Sequence, residues 1–185
     1  KYYLKQKYVK PGEAFLGVAH RLDRPVSGVV IFTKTSKALV RINEMLKKHE
    51  IKKTYWAVVK NKPPQDEALL SQYIIRNQKI NKSIVYNISV DGAQKAELSY
   101  QLIASSQKYY LLEVNLMTGR HHQIRAQLSA LGCPVKGDIK YGFARTNPDG
   151  SICLHAREVE FTHPINKKSL VVTAPAPDSD VWKFF

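Results

Sequence analysis

The chain has 185 residues, enough for one domain with a sizeable hydrophobic core. It carries 29 Lys and Arg against 15 Asp and Glu, and the net charge of +14 favours a polyanionic partner, with nucleic acid ahead of a membrane surface. Two cysteines are too few for a disulfide framework, and neither a signal peptide nor a membrane span is evident, so we expect a cytoplasmic location.

The first half of the chain predicts a strand, a helix and then several more strands. Residues 28–34, GVVIFTK, are apolar and β-branched, which favours a central strand. Ser36 is predicted to cap a helix that ends at about Lys48, because Leu39, Ile42 and Met45 fall on one face. Further strands are predicted at 53–60, 71–76, 83–90, 96–104 and 109–117.

After Gly119 the apolar residues change to a helical period. Ile124, Leu128 and Leu131 recur on one face, and Gly132 is predicted to end that helix. The tail returns to strand patterns at 152–156, 157–163 and 169–175. Because strands outnumber helices and most neighbours are hairpin-connected, we predict an α+β fold, a largely antiparallel mixed sheet with a few flanking helices.

Two charged residues do not fit a simple surface role. Arg125 lies at the border of the apolar stripe of its predicted helix, where its guanidinium could meet a partly buried anion. Asp23, in HRLDRPVSG (20–28), directly precedes the apolar run and is a candidate partner. The pairing would hold the carboxylate ionised and oriented. On the pattern alone, the alternative of two unrelated surface charges stays open.

Four segments, in one order and spanning nearly the whole chain, resemble motifs of the RluA-type pseudouridine synthases. HRLDRPVSG resembles the HRLD-x-x-[TV]-S-G signature of that family. The other segments are KKTYWAVV (52–59), TGRHHQIRAQLSALGCPVKGDIKYG (118–142) and LHAREVEFTHP (154–164). The resemblance implies a pseudouridine synthase fold with a central basic cleft and an activity that isomerises uridine in RNA.

The chain departs from the family pattern in two places. It begins only 16 residues before GVAHRLD, so we interpret residues 1–185 as a single catalytic domain lacking the family's first strand. Val26 stands where many members have Thr, and we expect this change to affect packing rather than chemistry.

The resemblance also implies catalytic roles for three residues. Pseudouridine formation breaks the C1′–N1 bond and joins C1′ to C5 without net redox change, so no cofactor is expected. Asp23 matches the catalytic aspartate, as nucleophile or as base. Tyr55 matches a tyrosine packed against the extruded base, and Arg125 matches the arginine paired with the aspartate. Without the family, Tyr55 would be interpreted as sheet packing.

Three further residues are implied to contact RNA. Arg21 matches a residue that fills the gap left by the extruded nucleotide or holds its phosphate. Arg120 is predicted to contact phosphate or to support its loop. His122 is interpreted as a hydrogen-bonded structural histidine rather than a proton shuttle. The basic tip at 78–82 and the helix at 37–48 are predicted to add backbone contacts.

The expected partner is therefore RNA, ribosomal or transfer, with no membrane and no small-molecule cofactor. The rival hypothesis is a catalytically silent module that binds or folds RNA. A nuclease would require clustered carboxylates that hold Mg²⁺, and only Asp23 is well placed. Zinc is not predicted, because the His and Cys residues lack the short paired spacing of zinc sites.

Overall fold

The computed structural model describes residues 1–9, 11–179 and 181–185. Its helices are α1 (Tyr2–Lys7), α2 (Ser36–Lys47) and α3 (Gln123–Ala130), with 3-10 turns at Ile139–Tyr141 and Trp182–Phe184. Its strands are β1 (Gly17–Val18), β2 (Ser27–Gly28), β3 (Phe32–Thr33), β4 (Lys52–Val59), β5 (Glu67–Asn77), β6 (Lys82–Tyr86), β7 (Gln94–Ser105), β8 (Tyr110–Leu116), β9 (Leu154–Thr162) and β10 (Ser169–Thr173). Among these described helices, none has the length and apolar character that a membrane span requires.

One large sheet dominates the fold, and its strand order is β10-β9-β4-β8-β7-β5-β6. Neighbours in this order are antiparallel, whereas the short strand β2 pairs with β9 in parallel. Helix α3 buries Leu128 in the same core as Ala57, Leu98 and Leu112 of the sheet. The predicted α+β fold with a largely antiparallel mixed sheet is confirmed.

Most predicted strands are present with shifted ends. The strand predicted at 53–60 is β4, and the two predicted hairpins are β5 with β6 and β7 with β8. The strand predicted at 83–90 ends at Tyr86. The strands predicted at 152–156 and 157–163 are one continuous strand, β9, which runs from Leu154 to Thr162. Strand β5 also pairs with β7, which joins the two hairpins into one sheet.

The predicted central strand at 28–34 is wrong. Only two short pieces of this region are strand, β2 beside β9 and β3 beside β1. At Gly28 the chain turns with φ of +117°, and a Cβ there would lie 2.2 Å from the Ala156 carbonyl oxygen. The apolar run therefore crosses from the large sheet to the small β1–β3 sheet, and its residues Val29 and Ile31 pack beneath α2 instead of extending one strand.

The helices follow their apolar faces. Helix α2 buries Ile42 and Met45 as predicted, but its cap is Thr35, whose hydroxyl accepts a hydrogen bond from the Ala38 amide. Helix α3 stops before Gly132, which has φ of +82°. Helix α1 was not predicted, because YYLKQK buries no side chain and so has no apolar stripe.

Candidate active site

A tight turn holds Asp23 at the rim of the large sheet. The Val26 amide donates to the Asp23 carbonyl at 2.9 Å, and the Ile152 amide donates to the Pro25 carbonyl at 3.0 Å. The close approach of Gly28 to β9 fixes the other end of this segment. The Asp23 side chain is 29% exposed, so its carboxylate stays in reach of a ligand while its backbone is held in place.

The Arg125 guanidinium lies between two carboxylates. It donates from Nη1 to Asp23 Oδ2 at 2.9 Å, and from Nε and Nη2 to the two oxygens of Asp138 at 2.6 and 2.9 Å. Arg125 and Asp138 are 6% and 2% exposed. Burial lowers the pKa of Arg125, but the hydrogen bonds to Asp138 and Asp23 outweigh it, so the net pKa is raised. The Arg125 guanidinium therefore fixes the orientation of the Asp23 carboxylate.

A chain of hydrogen bonds favours one tautomer of His122. The Tyr141 hydroxyl oxygen accepts the Ser83 amide at 2.7 Å, so its proton is free to be donated to His122 Nδ1, 3.0 Å away. Burial raises the pKa of Tyr141, which keeps that proton on the hydroxyl. When Nδ1 accepts from Tyr141, the neutral ring carries its proton on Nε2, which lies 3.6 Å from the negatively charged Asp23 Oδ2. His122 turns an N–H donor toward the carboxylate.

The loop before α3 is fastened to β7. The Gln123 side chain accepts from the Arg120 amide and the Thr118 hydroxyl, and it donates to the Glu97 carbonyl. Arg120 Nε donates to the Lys95 carbonyl at 2.9 Å. These bonds hold the loop at the edge of the depression where Asp23 lies, with the remaining guanidinium donors of Arg120 available to a ligand.

Asp23 borders a small cavity of about 160 Å³, the inner pocket. Pockets that enclose drug-sized molecules measure about 300–1,000 Å³, so this volume suits a single ring such as a nucleobase. Lys53, His20 and Arg125 supply polar groups. The apolar wall consists of Leu22, Val26, Tyr55, Leu116, Ile124 and Leu154.

Tyr55 is the aromatic side chain of the inner pocket. Burial, and then the neighbouring charge of Asp23, raise its pKa to about 12. The hydroxyl therefore stays protonated at neutral pH, and the ring offers an apolar face with a hydrogen-bonding tip.

The inner pocket opens into a wider, cationic depression, the outer cleft. The two share Asp23 and the loop at Arg120, but the outer cleft extends over the turn after Asp23 and toward the base of the β5–β6 hairpin. Besides Arg125, which is held between Asp23 and Asp138, its cations are Arg21, Arg24, Arg76, Arg120 and Lys140. Five cations around one depression favour an anionic ligand along the rim, with the carboxylate below it.

The structure brings all the predicted site residues to one place. Asp23, Tyr55, Arg125, Arg21, Arg120 and His122 all line the inner pocket. The predicted contact of Asp23 with Arg125 is present, while the catalytic and RNA-binding roles stay predictions. In the described part of the chain, no three His, Cys, Asp or Glu side chains are grouped as a metal site.

Sequence reasoning missed four contributors: His20, Lys53, Asp138 and Tyr141. Asp138 and Tyr141 lie within the GDIKY segment of the longest quoted motif, and Lys53 lies in KKTYWAVV. The quoted motifs therefore include these residues, but nothing in the sequence pattern indicated which motif residues face the site.

His122 should make stability depend on pH. Burial, and then Arg125, lower its pKa to about 4 despite the opposing effect of Asp23. The folded pKa lies below the usual value of 6.5, so the stabilisation is complete above pH 6.5 and is lost as pH falls toward 4. We expect the urea midpoint to decrease across this window, and to decrease less in His122→Asn.

The matched control for this measurement is His49→Asn. His49 is exposed and has a left-handed φ of 57°, close to the 52° of His122, so asparagine suits both backbones equally well. If acid lowers the urea midpoint of His122→Asn as much as that of His49→Asn, the pH dependence of stability does not come from His122.

Comparison with known proteins identifies the family that this chain resembles. The family model described as RNA pseudouridylate synthase matches residues 2–130, a range that includes Asp23, Tyr55 and Arg125. Ribosomal large subunit pseudouridine synthase C of Buchnera aphidicola subsp. Baizongia pistaciae is 32% identical over 178 residues, covering 91% of this chain and 56% of that protein. tRNA pseudouridine synthase C of Vibrio parahaemolyticus is 29% identical over 178 residues, covering 86% of this chain and 72% of that protein.

The fold has solved counterparts as well. The structure of human RNA Pseudouridylate Synthase Domain Containing 4 superimposes with a TM-score of 0.79 at 23% identity, covering 96% of this chain and 77% of that one. The chain spans about half the length of the first curated relatives that it matches. The match over residues 2–130 shows that the chain belongs to the RNA pseudouridylate synthase family.

Proposed function

We propose that this chain forms one catalytic domain, residues 1–185, that converts uridine to pseudouridine in ribosomal or transfer RNA. The observation that carries the proposal is the Asp23–Arg125 pair at the junction of a nucleobase-sized inner pocket and a cationic outer cleft. Relatives named for ribosomal and for transfer RNA support both substrate classes. A cytoplasmic location fits the two buried free thiols, Cys133 and Cys153.

The reaction replaces the C1′–N1 bond with a C1′–C5 bond, and the base loses one proton at C5 and gains one at N1. The C1′–N1 bond breaks and its electron pair leaves with the uracil, which then carries a negative charge. The ring turns, C5 bonds to C1′, the hydrogen on C5 is lost, and N1 gains a proton. Asp23 assists as the nucleophile at C1′ or as the base on the adjacent sugar carbon, and it is restored at the end.

The geometry leaves one oxygen of Asp23 for this task. The contacts with Arg125 and His122 both fall on Oδ2, and Oδ1 has no hydrogen bond among the described residues. Asp138 holds the far side of the guanidinium, so Arg125 cannot turn away from Asp23. In this proposal Oδ1 faces the sugar.

The target uridine has to leave its stack before it can reach Asp23. Extrusion costs a few kcal/mol of lost stacking and pairing. Tyr55 and the apolar wall of the inner pocket offset this cost by packing against the base. Arg21 is exposed at the rim, where it can fill the gap in the RNA or hold the flanking phosphate.

RNA affinity should depend steeply on salt. Each phosphate contact contributes about −0.7 to −0.9 to the slope of log affinity against log salt concentration. If the five outer-cleft cations other than Arg125 all contact phosphates, the slope is between roughly −3.5 and −4.5. We expect the double variant Arg76→Gln, Lys140→Gln to be less steep by about 1 to 2.

The comparison variant for the salt series is Lys183→Gln. Lys183 does not line the cleft and pairs with Asp178 on the surface. Equal slopes for the wild type and the double variant in filter binding contradict an RNA path along this rim.

The activity test uses RNA from cells lacking this protein, labelled with tritium at C5 of uridine. Because C5 loses its hydrogen when it bonds to C1′, turnover releases tritium into water, and mass spectrometry then identifies the modified position. The proposal predicts release at a small number of discrete sites. Binding of the RNA without release or pseudouridine supports the rival hypothesis of a catalytically silent RNA-binding module.

A further inference from the structure

Among the described residues, no carboxylate pairs with one cation of the inner pocket, Lys53. Lys53 is only partly exposed, and its ammonium has no hydrogen bond and no ion pair among the described residues. Burial lowers its pKa, the expected effect on an ammonium that loses water without gaining an anion. Its neighbour Lys52 is exposed and pairs with Glu160 at 3.1 Å. The fold therefore keeps a desolvated positive charge at this one position of β4.

Strand alternation aims Lys53 at the site. Lys53 and Tyr55 are two residues apart on β4, so both side chains project from the same face, and both line the inner pocket. The Lys53 ammonium lies beside Gly119. A Cβ added at that glycine would be 3.5 Å from Nζ. The absence of a side chain at Gly119 leaves this end of the pocket open to a ligand.

The nearby His20 does not serve as a counter-ion. Its Nε2 accepts the Ile31 amide at 3.0 Å, so the neutral ring carries its proton on Nδ1. Burial, and then the charge of Lys53, lower the pKa of His20 and keep the ring neutral. The histidine therefore leaves the Lys53 charge unbalanced.

The position of Lys53 separates it from the phosphate-binding rim. Arg24, Arg76 and Lys140 line the outer cleft alone, and Arg21 and Arg120 line both cavities. Lys53 lines the inner pocket and not the outer cleft. The group expected there is the extruded base. When the C1′–N1 bond breaks, the departing uracil carries the negative charge, which is delocalised onto its carbonyl oxygens.

We propose that Lys53 binds a carbonyl oxygen of the extruded uracil and stabilises the negative charge that the base carries while it is detached from the sugar. This inference rests on the proposed function. In this inference Lys53 acts on the charge of the base, whereas Asp23 acts on the sugar. A preorganised donor of this kind is worth about 10²–10³ in rate.

The test compares Lys53→Met and Lys53→Arg with Lys52→Met, which removes the same charge from the solvent side of the same strand. Single-turnover tritium release is measured with the labelled RNA described above, over a series of enzyme concentrations. This gives the plateau rate and the enzyme concentration for half of that rate. Circular dichroism confirms that each variant is folded.

For Lys53→Met we expect a plateau rate about 10²–10³ lower, with half-saturation within about threefold of wild type. Lys53→Arg should recover most of the rate, since it keeps a cation, and Lys52→Met should match the wild type. The salt slope should stay unchanged in Lys53→Met.

Two results overturn the inference while leaving the proposed function intact. One is an unchanged plateau rate in Lys53→Met. The other is a Lys53→Met protein that needs a different enzyme concentration for half of the plateau rate and whose RNA affinity depends on salt with a slope smaller by about 1. That result would mean that Lys53 contacts a phosphate. If the wild type itself releases no tritium, the proposed function fails, and the assignment of Lys53 fails with it.

Discussion

Asp138→Asn is expected to lower the free energy of unfolding by about 3–5 kcal/mol, the usual effect of breaking a buried ion pair. Asp138 is 2% exposed and accepts two hydrogen bonds from Arg125, which is itself 6% exposed. Asparagine removes the charge and one acceptor, so the guanidinium keeps only its partly exposed partner Asp23. For a chain of this length the change corresponds to a melting temperature about 6–20 °C lower.

The control for the stability measurement is Asp66→Asn. Asp66 makes an exposed pair with Lys62 at 3.3 Å, and such surface pairs contribute about 0–1 kcal/mol. Urea denaturation at low temperature keeps a marginal variant measurable. If the two variants differ by less than about 1 kcal/mol, Asp138 does not anchor Arg125 in the way described.

Asp23→Asn is expected to lower the rate of isomerisation by roughly 10³ or more, since a positioned base or nucleophile contributes at least about 10²–10⁴. The amide has the same shape and can still accept from Arg125 Nη1, so the fold should be retained. RNA affinity should be equal or slightly higher, because the change removes a negative charge from a cationic cleft.

The matched variant is Asp178→Asn, which removes a carboxylate that is 90% exposed and pairs with Lys183. It should release tritium at the wild-type rate. An Asp23→Asn protein that stays within tenfold of the wild type shows that another group performs the chemistry.

The sheet could be predicted because its strands alternate. In β7, Ala96, Leu98 and Tyr100 are buried while Glu97 and Ser99 between them are partly exposed, and this alternation marks both the strand and its buried face. The apolar run 28–34 has no such alternation, so the pattern indicated one buried strand. The observed break depends on how closely Gly28 approaches Ala156, a tertiary contact that local sequence does not contain.

The site was predicted in part for a similar reason. Arg125 could be identified because an arginine at the border of an apolar helical stripe needs an anion. Asp23 was a candidate partner from its position before the apolar run, and the resemblance added weight to the pairing. Asp138 lies in an irregular segment between α3 and β9, where no periodicity reveals burial. The unneutralised charge of Lys53 is equally invisible in the sequence, because it depends on which carboxylates are absent around it.

The His122 tautomer likewise depends on contacts that only the fold creates. Ser83 on β6 and Tyr141 in a 3-10 turn are 58 residues apart and meet at one hydroxyl. That contact turns His122 Nε2 toward Asp23. Sequence reasoning interpreted His122 as a structural histidine, and the structure places its Nε2 3.6 Å from the Asp23 carboxylate.

The most direct test is a crystal structure of the Asp23→Asn protein bound to a stem-loop RNA that contains the modified uridine. We predict that the uridine is extruded, with its base against Tyr55 in the inner pocket and C1′ about 3–3.5 Å from the side chain of residue 23. A uridine still stacked in the RNA, or an inner pocket without a nucleotide while RNA occupies the outer cleft, contradicts the account.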